Sequence, residues 1–192
     1  MVAVRMNLRD LAGSSTLTGA ISGRSLLCTL LKATPPEPAS PEPIFLDFSN
    51  VEIATASFLR ESLLAFRDVI RGRRSNFYPV LANPNDTVRD ELIELMYSRK
   101  DIFMSCTLND SGSVTDAMPI GDLDPKQRMT FNLVCERGET DAADLMRNYG
   151  ESQGITTQTA WNHRLTSLAT LGLVVEISQG RTKRYKPLFQ GA

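Results

Sequence analysis

Only three cysteines and a single histidine occur among 192 residues, and this scarcity excludes more chemistry than any motif in the chain supplies. Cys28, Cys106 and Cys135 are odd in number, far apart and form no C-x-x-C, so neither a disulfide framework nor a zinc ribbon is expected. All three are predicted as buried free thiols. Ser-His-Asp, Cys-His or multi-histidine metal chemistry would have to run through His163 alone. Glycine-rich phosphate loops of the form GxGxxG or GxxxxGK are absent. The carboxylates Asp90, Glu91 and Glu94 are helical neighbours predicted to face water, with nothing beside them to recruit a metal or a general acid. No enzyme, catalytic residue, metal or cofactor is therefore expected. No run approaches the roughly 18 apolar residues of a membrane span, and Met1 to Asp10 lacks the apolar core of a signal peptide. The expectation is a soluble, cytoplasmic chain without a membrane partner.

What is present is uneven. Residues 1 to 124 carry 12 Lys and Arg against 16 Asp and Glu, whereas residues 125 to 192 carry 9 against 6, an asymmetry hidden in the overall net charge of -1. A basic C-terminal module on an acidic N-terminal one is predicted, within a length that suits two domains of roughly 60 to 120 residues.

The C-terminal module is the more informative. In TQTAWNHRLTSLATL, from Thr157 to Leu171, Trp161, Leu165 and Leu168 recur at i, i+4 and i+7 and predict one buried helical stripe. Thr159, His163, Thr166 and Thr170 then lie opposite, Asn162 on the flank, and Thr157 and Gln158 in the first turn. Gly172 ends the helix by taking a left-handed cap. Leu173 to Ile177 reads as a strand, Ser178 to Gly180 as a turn, and Arg181 to Leu188 as the returning strand with Arg181, Lys183, Arg184 and Lys186. Upstream, Asp124-Pro125 with Gln127 predicts a capped helix to about Glu136, and Thr140 the cap of the next, packed through Ala142, Ala143, Leu145, Met146 and Tyr149. Polar side chains on one helix face beside a cationic hairpin suit the major groove and phosphates of duplex DNA.

This stretch resembles the winged helix-turn-helix domain of bacterial arsenical-resistance-type repressors. The recognition-helix pattern is carried by Thr157, Gln158, Thr159, Ala160, Trp161, Asn162, His163, Arg164 and Leu165, and the wing pattern by Gly180, Arg181, Arg184 and Tyr185. The resemblance implies a DNA-binding homodimer. Thr157, Gln158, Thr159, Asn162 and His163 would face bases, and Arg164, Arg181, Lys183 and Arg184 phosphates. The turn before the recognition helix is lengthened by Glu151, Ser152, Gln153 and Gly154, a departure from the family pattern.

Strands and helices alternate through the N-terminal part, which predicts an α/β layer. Val2 to Leu8, Ile44 to Phe48, Tyr78 to Ala82 and Asp101 to Leu108 read as strands; Gly23 to Ala33, Ser57 to Ile70 and Thr87 to Tyr97 read as helices. Pro35 to Pro43 is either a stiff connector or a ligand for a proline-binding module. Arg71, Arg73 and Arg74 are either a solvated helix end or a partner contact. IFLDFSNVEIATASFLRESLLAF, with Asp47, Phe48, Thr55, Ser57 and Phe58, resembles STAS domains, the anti-sigma-factor antagonists, and more closely a STAS-like family without a known function. The expected division is a STAS-like α/β domain over 1–108, a linker over 109–123 and the winged helix over 124–192.

The STAS resemblance implies a partner-controlling phosphorylation at Ser57, where Thr55-Ala56-Ser57-Phe58 stands in place of the family's Asp-Ser-Ser-Gly. The simpler reading is that Ser57 or Thr55 caps the helix. The combined expectation is a transcriptional regulator that reads duplex DNA and receives a protein or small-molecule signal. The alternatives are an interaction protein in a phospho-regulated switch, and a ligand-binding or catalytic α/β domain with a pocket beside Asp47, Thr55 or Asn83.

Overall fold

Apolar residues at two-residue spacing place one side of each N-terminal strand in a shared core, and the connections decide which side. The computed structural model describes residues 4–180 and 182–189 of a mixed α/β chain. The chain divides into two compact units between Asp122 and Leu123.

In the first unit, β1 (Val4–Asn7), β3 (Glu42–Asp47), β5 (Phe77–Ala82) and β6 (Ile102–Leu108) run parallel in that order. Each parallel connection steps the same way across the sheet, so right-handed crossovers put their helices on one face. These are α2 (Ala20–Ala33), the continuous helical stretch α3 (Ala56–Leu59), Arg60–Leu64 and α4 (Ala65–Gly72), and α5 (Asp86–Arg99). Met6, Ile44, Leu46, Leu81 and Phe103 meet Leu30, Phe58, Leu63, Phe66, Val88 and Met96 in one core. Burying each such side chain stabilises the unit by about 1.5–3 kcal/mol. The Arg60–Leu64 segment is a π-helical turn, a departure the periodicity of Ser57 to Ile70 does not reveal. A short helix α1 (Leu8–Ala12) and a two-stranded ribbon, β2 (Thr16–Leu17) parallel to β4 (Ile53–Ala54), complete the unit.

The expected linker over 109–123 is corrected. Asn109 to Ser113 is a tight turn, in which the Asn109 side chain accepts from the Ser113 amide at 2.8 Å, and β7 (Val114–Gly121) returns antiparallel to β6. The polar composition of 109–122 reflects a solvated edge strand, not a hinge. The proline-rich stretch is a strapped connector: the Glu37 carboxylate accepts from Ser75 Oγ and from the Asn76 amide, and Asn76 Nδ2 donates to Pro38 O at 2.9 Å. Arg71 is buried, donating to Ser75 O at 2.7 Å and Phe77 O at 3.1 Å and stacking 3.8 Å from the Tyr78 ring, so it is no part of a solvated basic run. Arg73 and Arg74 are exposed.

In the second unit, α6 (Pro125–Arg137), α7 (Ala142–Tyr149) and α8 (Gln158–Thr170) precede the hairpin β8 (Val174–Gln179) and β9 (Thr182–Pro187). Asp124 caps α6 through the Lys126 and Gln127 amides. Gln127 does not close a capping box; its Nε2 donates to Ser167 Oγ on α8 at 3.0 Å. The cap of α7 is Asp141, which accepts from the Asp144 amide, and not the expected Thr140. Thr140 is buried and pairs its backbone with Tyr185 as an isolated antiparallel bridge, adding a third short segment beside the hairpin. Gly172 takes φ 78° just past α8, as expected of a left-handed helix stop. Cys106 is the buried thiol; Cys28 and Cys135 are exposed, which corrects the expectation for both.

Candidate nucleic-acid interface

The orientation of α8 is fixed by its buried side. Trp161, Leu165 and Leu168 are fully buried, and the Trp161 indole donates to Ile155 O at 3.0 Å. That bond latches the lengthened connection to the helix it precedes. The Gln153 amide donates to Tyr149 O at 2.9 Å and the Ile155 amide to Gly150 O at 2.7 Å, so Glu151 to Gly154 form a closed turn whose exit is buried.

With that side buried, Thr157, Gln158, Thr159, Asn162 and His163 are all exposed on the remaining arc, together with Thr166 and Thr170. Thr157 is the residue before the first turn and makes no side-chain cap. Gln158, Asn162 and Thr166 line one wall of a hollow of about 580 Å³, faced by Asp141, Ala142, Ala143, Thr182 and Lys183. Tyr185 ties α8 to the hairpin: its hydroxyl lies 3.2 Å from Thr166 Oγ1 on α8 and donates to Glu176 Oε2 on β8 at 3.2 Å.

The expected phosphate contacts are less free than their charge suggests. Lys183 Nζ lies 2.8 Å from Glu176 Oε1, and Arg184 Nε 2.6 Å from Glu139 Oε1, an ion pair without hydrogen-bond alignment. Arg164 is half-buried, its guanidinium 5.7 Å from the Trp161 ring, and among the described residues its Nη1 has no hydrogen-bond partner. Arg181 lies outside the described residues. Exposed ion pairs contribute only about 0–1 kcal/mol each, so Lys183 can exchange a carboxylate for a phosphate at little cost, whereas the Nε through which Arg184 meets Glu139 is buried. Nothing in the sequence pattern singled out Glu139 and Glu176 as partners. The hairpin register could have found Glu176, because it pairs Glu176 with Tyr185 and sets Lys183 on the diagonal.

Around Ser57 the simple cap is also corrected. Thr55 precedes α3 without a side-chain cap bond, and its Oγ1 lies 3.3 Å from Ser57 Oγ. The α3 amide of Ala56 instead donates to Glu91 Oε1 on α5 at 2.6 Å. Glu91 is therefore no water-facing member of a carboxylate row; it already brings negative charge to the helix start, where a phosphoryl group on Ser57 would meet repulsion.

Asp47, at the C-terminal end of β3, is fully buried and accepts from Arg5 Nε at 2.7 Å, Ser49 N at 3.1 Å, Ser49 Oγ at 2.8 Å and Asn83 Nδ2 at 2.9 Å. Asn83, at φ 55°, also donates to Leu108 O and accepts from the Leu108 amide, so the cluster clasps the ends of β3, β5 and β6. Its polar atoms are turned to one another, which assigns it to structure.

Among the described residues no group of three or more His, Cys, Asp or Glu converges as a metal site would require, and no helix is long and apolar enough to cross a membrane. Compared with protein-family models, curated proteins and solved structures, the chain finds no match.

Proposed function

We propose that the chain is a DNA-binding transcriptional regulator. Its second unit acts as a winged helix-turn-helix that reads duplex DNA as part of a cytoplasmic homodimer. Its first unit acts as a STAS-like domain that receives a protein or small-molecule signal. The observation that carries this reading is the exposed polar arc of α8, Gln158, Thr159, Asn162 and His163, held outward by the buried Trp161, Leu165 and Leu168 and set beside the cationic hairpin. Polar, groove-length side chains in that order are what a recognition helix needs to meet base edges.

The test is binding of the full chain to DNA fragments across a salt series, beside an Arg181→Ala, Lys183→Ala, Arg184→Ala variant. Three phosphate contacts predict a log-log salt slope smaller in magnitude by about 2–3 in the variant. Equal slopes refute the wing's role.

The pairing of Lys183 with Glu176 and of Arg184 with Glu139 favours a second reading, a protein-docking module in a phospho-regulated switch. It is supported if neither protein binds DNA while both remain folded.

A further inference from the structure

We infer that α8 selects A·T base pairs, through Gln158 and Asn162 acting on two adenines about two base steps apart. This rests on the reading of α8 as a recognition helix and adds the chemistry of its target.

Guanine is usually read by a bidentate Arg or Lys, adenine by the amide of Asn or Gln, and thymine by an apolar contact to its methyl group. The exposed arc of α8 holds no lysine, and the helix's single arginine, Arg164, is turned half-inward against Trp161. Two primary amides are exposed on that arc instead, four residues apart and on the same wall of one hollow. Four residues rise about 6 Å along a helix, and base pairs stack about 3.4 Å apart. With the helix axis laid along the stacking direction, the two amides would span about two steps.

The opposite wall sets one carboxylate, Asp141, and one ammonium, Lys183, among Ala142, Ala143 and Thr182, so it carries no net charge that would favour a phosphodiester over the neutral edge of an adenine. Lys183, on the hairpin side, is held by Glu176 at 2.8 Å and belongs to backbone positioning.

The experiment is enrichment of a random-sequence duplex pool by the full chain, run in parallel with Gln158→Ala, Asn162→Ala and Lys183→Ala. All three positions are exposed, and unchanged Trp161 emission reports that the second unit is folded in each. Wild type is expected to enrich sites with two adenines about two steps apart. Each amide variant should relax one of them by about 5- to 150-fold, the range of one bidentate contact, while Lys183→Ala weakens all sequences alike. Guanine at both positions, or preferences untouched by Asn162→Ala and Gln158→Ala, overturns the inference while leaving DNA binding intact. Wild type that retains no duplex at low salt overturns the DNA-binding reading and this inference with it.

Discussion

Gly150→Ala isolates the turn that sets α8, because it adds one methyl group at the point of closest backbone approach. A β-carbon there would lie 2.3 Å from Met146 O and 3.0 Å from Ile155 O, where real contacts stay beyond 3.0 Å. Both atoms are backbone, so relief needs a shift of about 0.7 Å in the last turn of α7 or in Ile155. That shift strains the Gly150 amide bond to Met146 O, the Ile155 amide bond to Gly150 O and, through Ile155 O, the Trp161 latch. Losing two of these, with one buried group left unsatisfied, costs about 2–4 kcal/mol. Alanine recovers about 1 kcal/mol through helix propensity and a less flexible unfolded chain. The expected net loss is about 1–3 kcal/mol. The assay is urea denaturation followed by emission of Trp161, the only tryptophan, which reports the second unit alone. For a unit of this size each kcal/mol lowers the melting temperature by about 4–8 °C. Gly154→Ala is the control: φ is 64° but nothing lies within 4 Å, so it pays only the left-handed cost of about 1–2 kcal/mol. A Gly150→Ala protein as stable as wild type, or more so, refutes a turn closed by backbone contact.

Glu91→Ala should cost the first unit about 1–2 kcal/mol by uncapping Ala56, whereas Ser57→Ala and Thr55→Ala should each cost under about 0.5 kcal/mol, as chemical denaturation of the three variants would show. Acid stability should depend on Asp101. Burial would raise its carboxyl, but the two Arg67 hydrogen bonds at 2.9 Å outweigh that and hold it below the ordinary value. A lowered folded-state value stabilises above about pH 4 and is lost as pH falls through it, so Asp101→Asn should flatten the acid limb of a pH-denaturation curve while costing about 2–4 kcal/mol at neutral pH. At the alkaline end, burial and the Asp47 charge push the Cys106 thiol up to about 12. A raised value contributes below the unfolded-state value near about 8.5 and is lost as pH climbs toward it, so stability should decline across that window unless Cys106 is replaced by alanine. Thiol labelling at pH 8 should modify Cys28 first, then Cys135, an exposed residue whose thiol is nonetheless raised by partial desolvation from its neighbours and by the Glu136 charge, and Cys106 only on unfolding.

The sequence made apolar periodicity legible and left tertiary pairing dark. The stripe Trp161, Leu165, Leu168 follows from spacing, because one-sided burial imposes a period, and the strands around Phe45 and Val80 follow from short continuous apolar runs, because both their faces are buried. Strand β7 escaped because an edge strand is half solvated: Thr115, Asp116 and Met118 are exposed, and polar composition there imitates a linker. Placing the hairpin turn at Ser178 to Gly180 cuts the outgoing strand short, because β8 runs on to Gln179. The observed register pairs Gln179 with Thr182 and Glu176 with Tyr185, contacts a three-residue turn would not give. The caps show the same limit. Asp124 lies next to its helix, where the sequence places it; Asp141 stands one residue past the expected Thr140; and Glu91 caps a helix 35 residues away, where no local rule could reach it.

Charge counting overstates the C-terminal hairpin for a related reason. A surplus of three positive charges over residues 125 to 192 suggests a cationic blade, yet the structure seats Lys183 on Glu176 and Arg184 on Glu139 and turns Arg164 toward Trp161. If DNA binding rested on net charge alone, such pairing would leave weak, nonspecific attraction. On the proposed DNA-binding reading, the exposed polar side chains of α8 are the larger source of discrimination, because each contributes only where a base edge matches it. Paired cations fit that division of labour: a surface pair is given up for about 0–1 kcal/mol, little enough for correct docking to offset and enough to disfavour a site where the helix finds no partner.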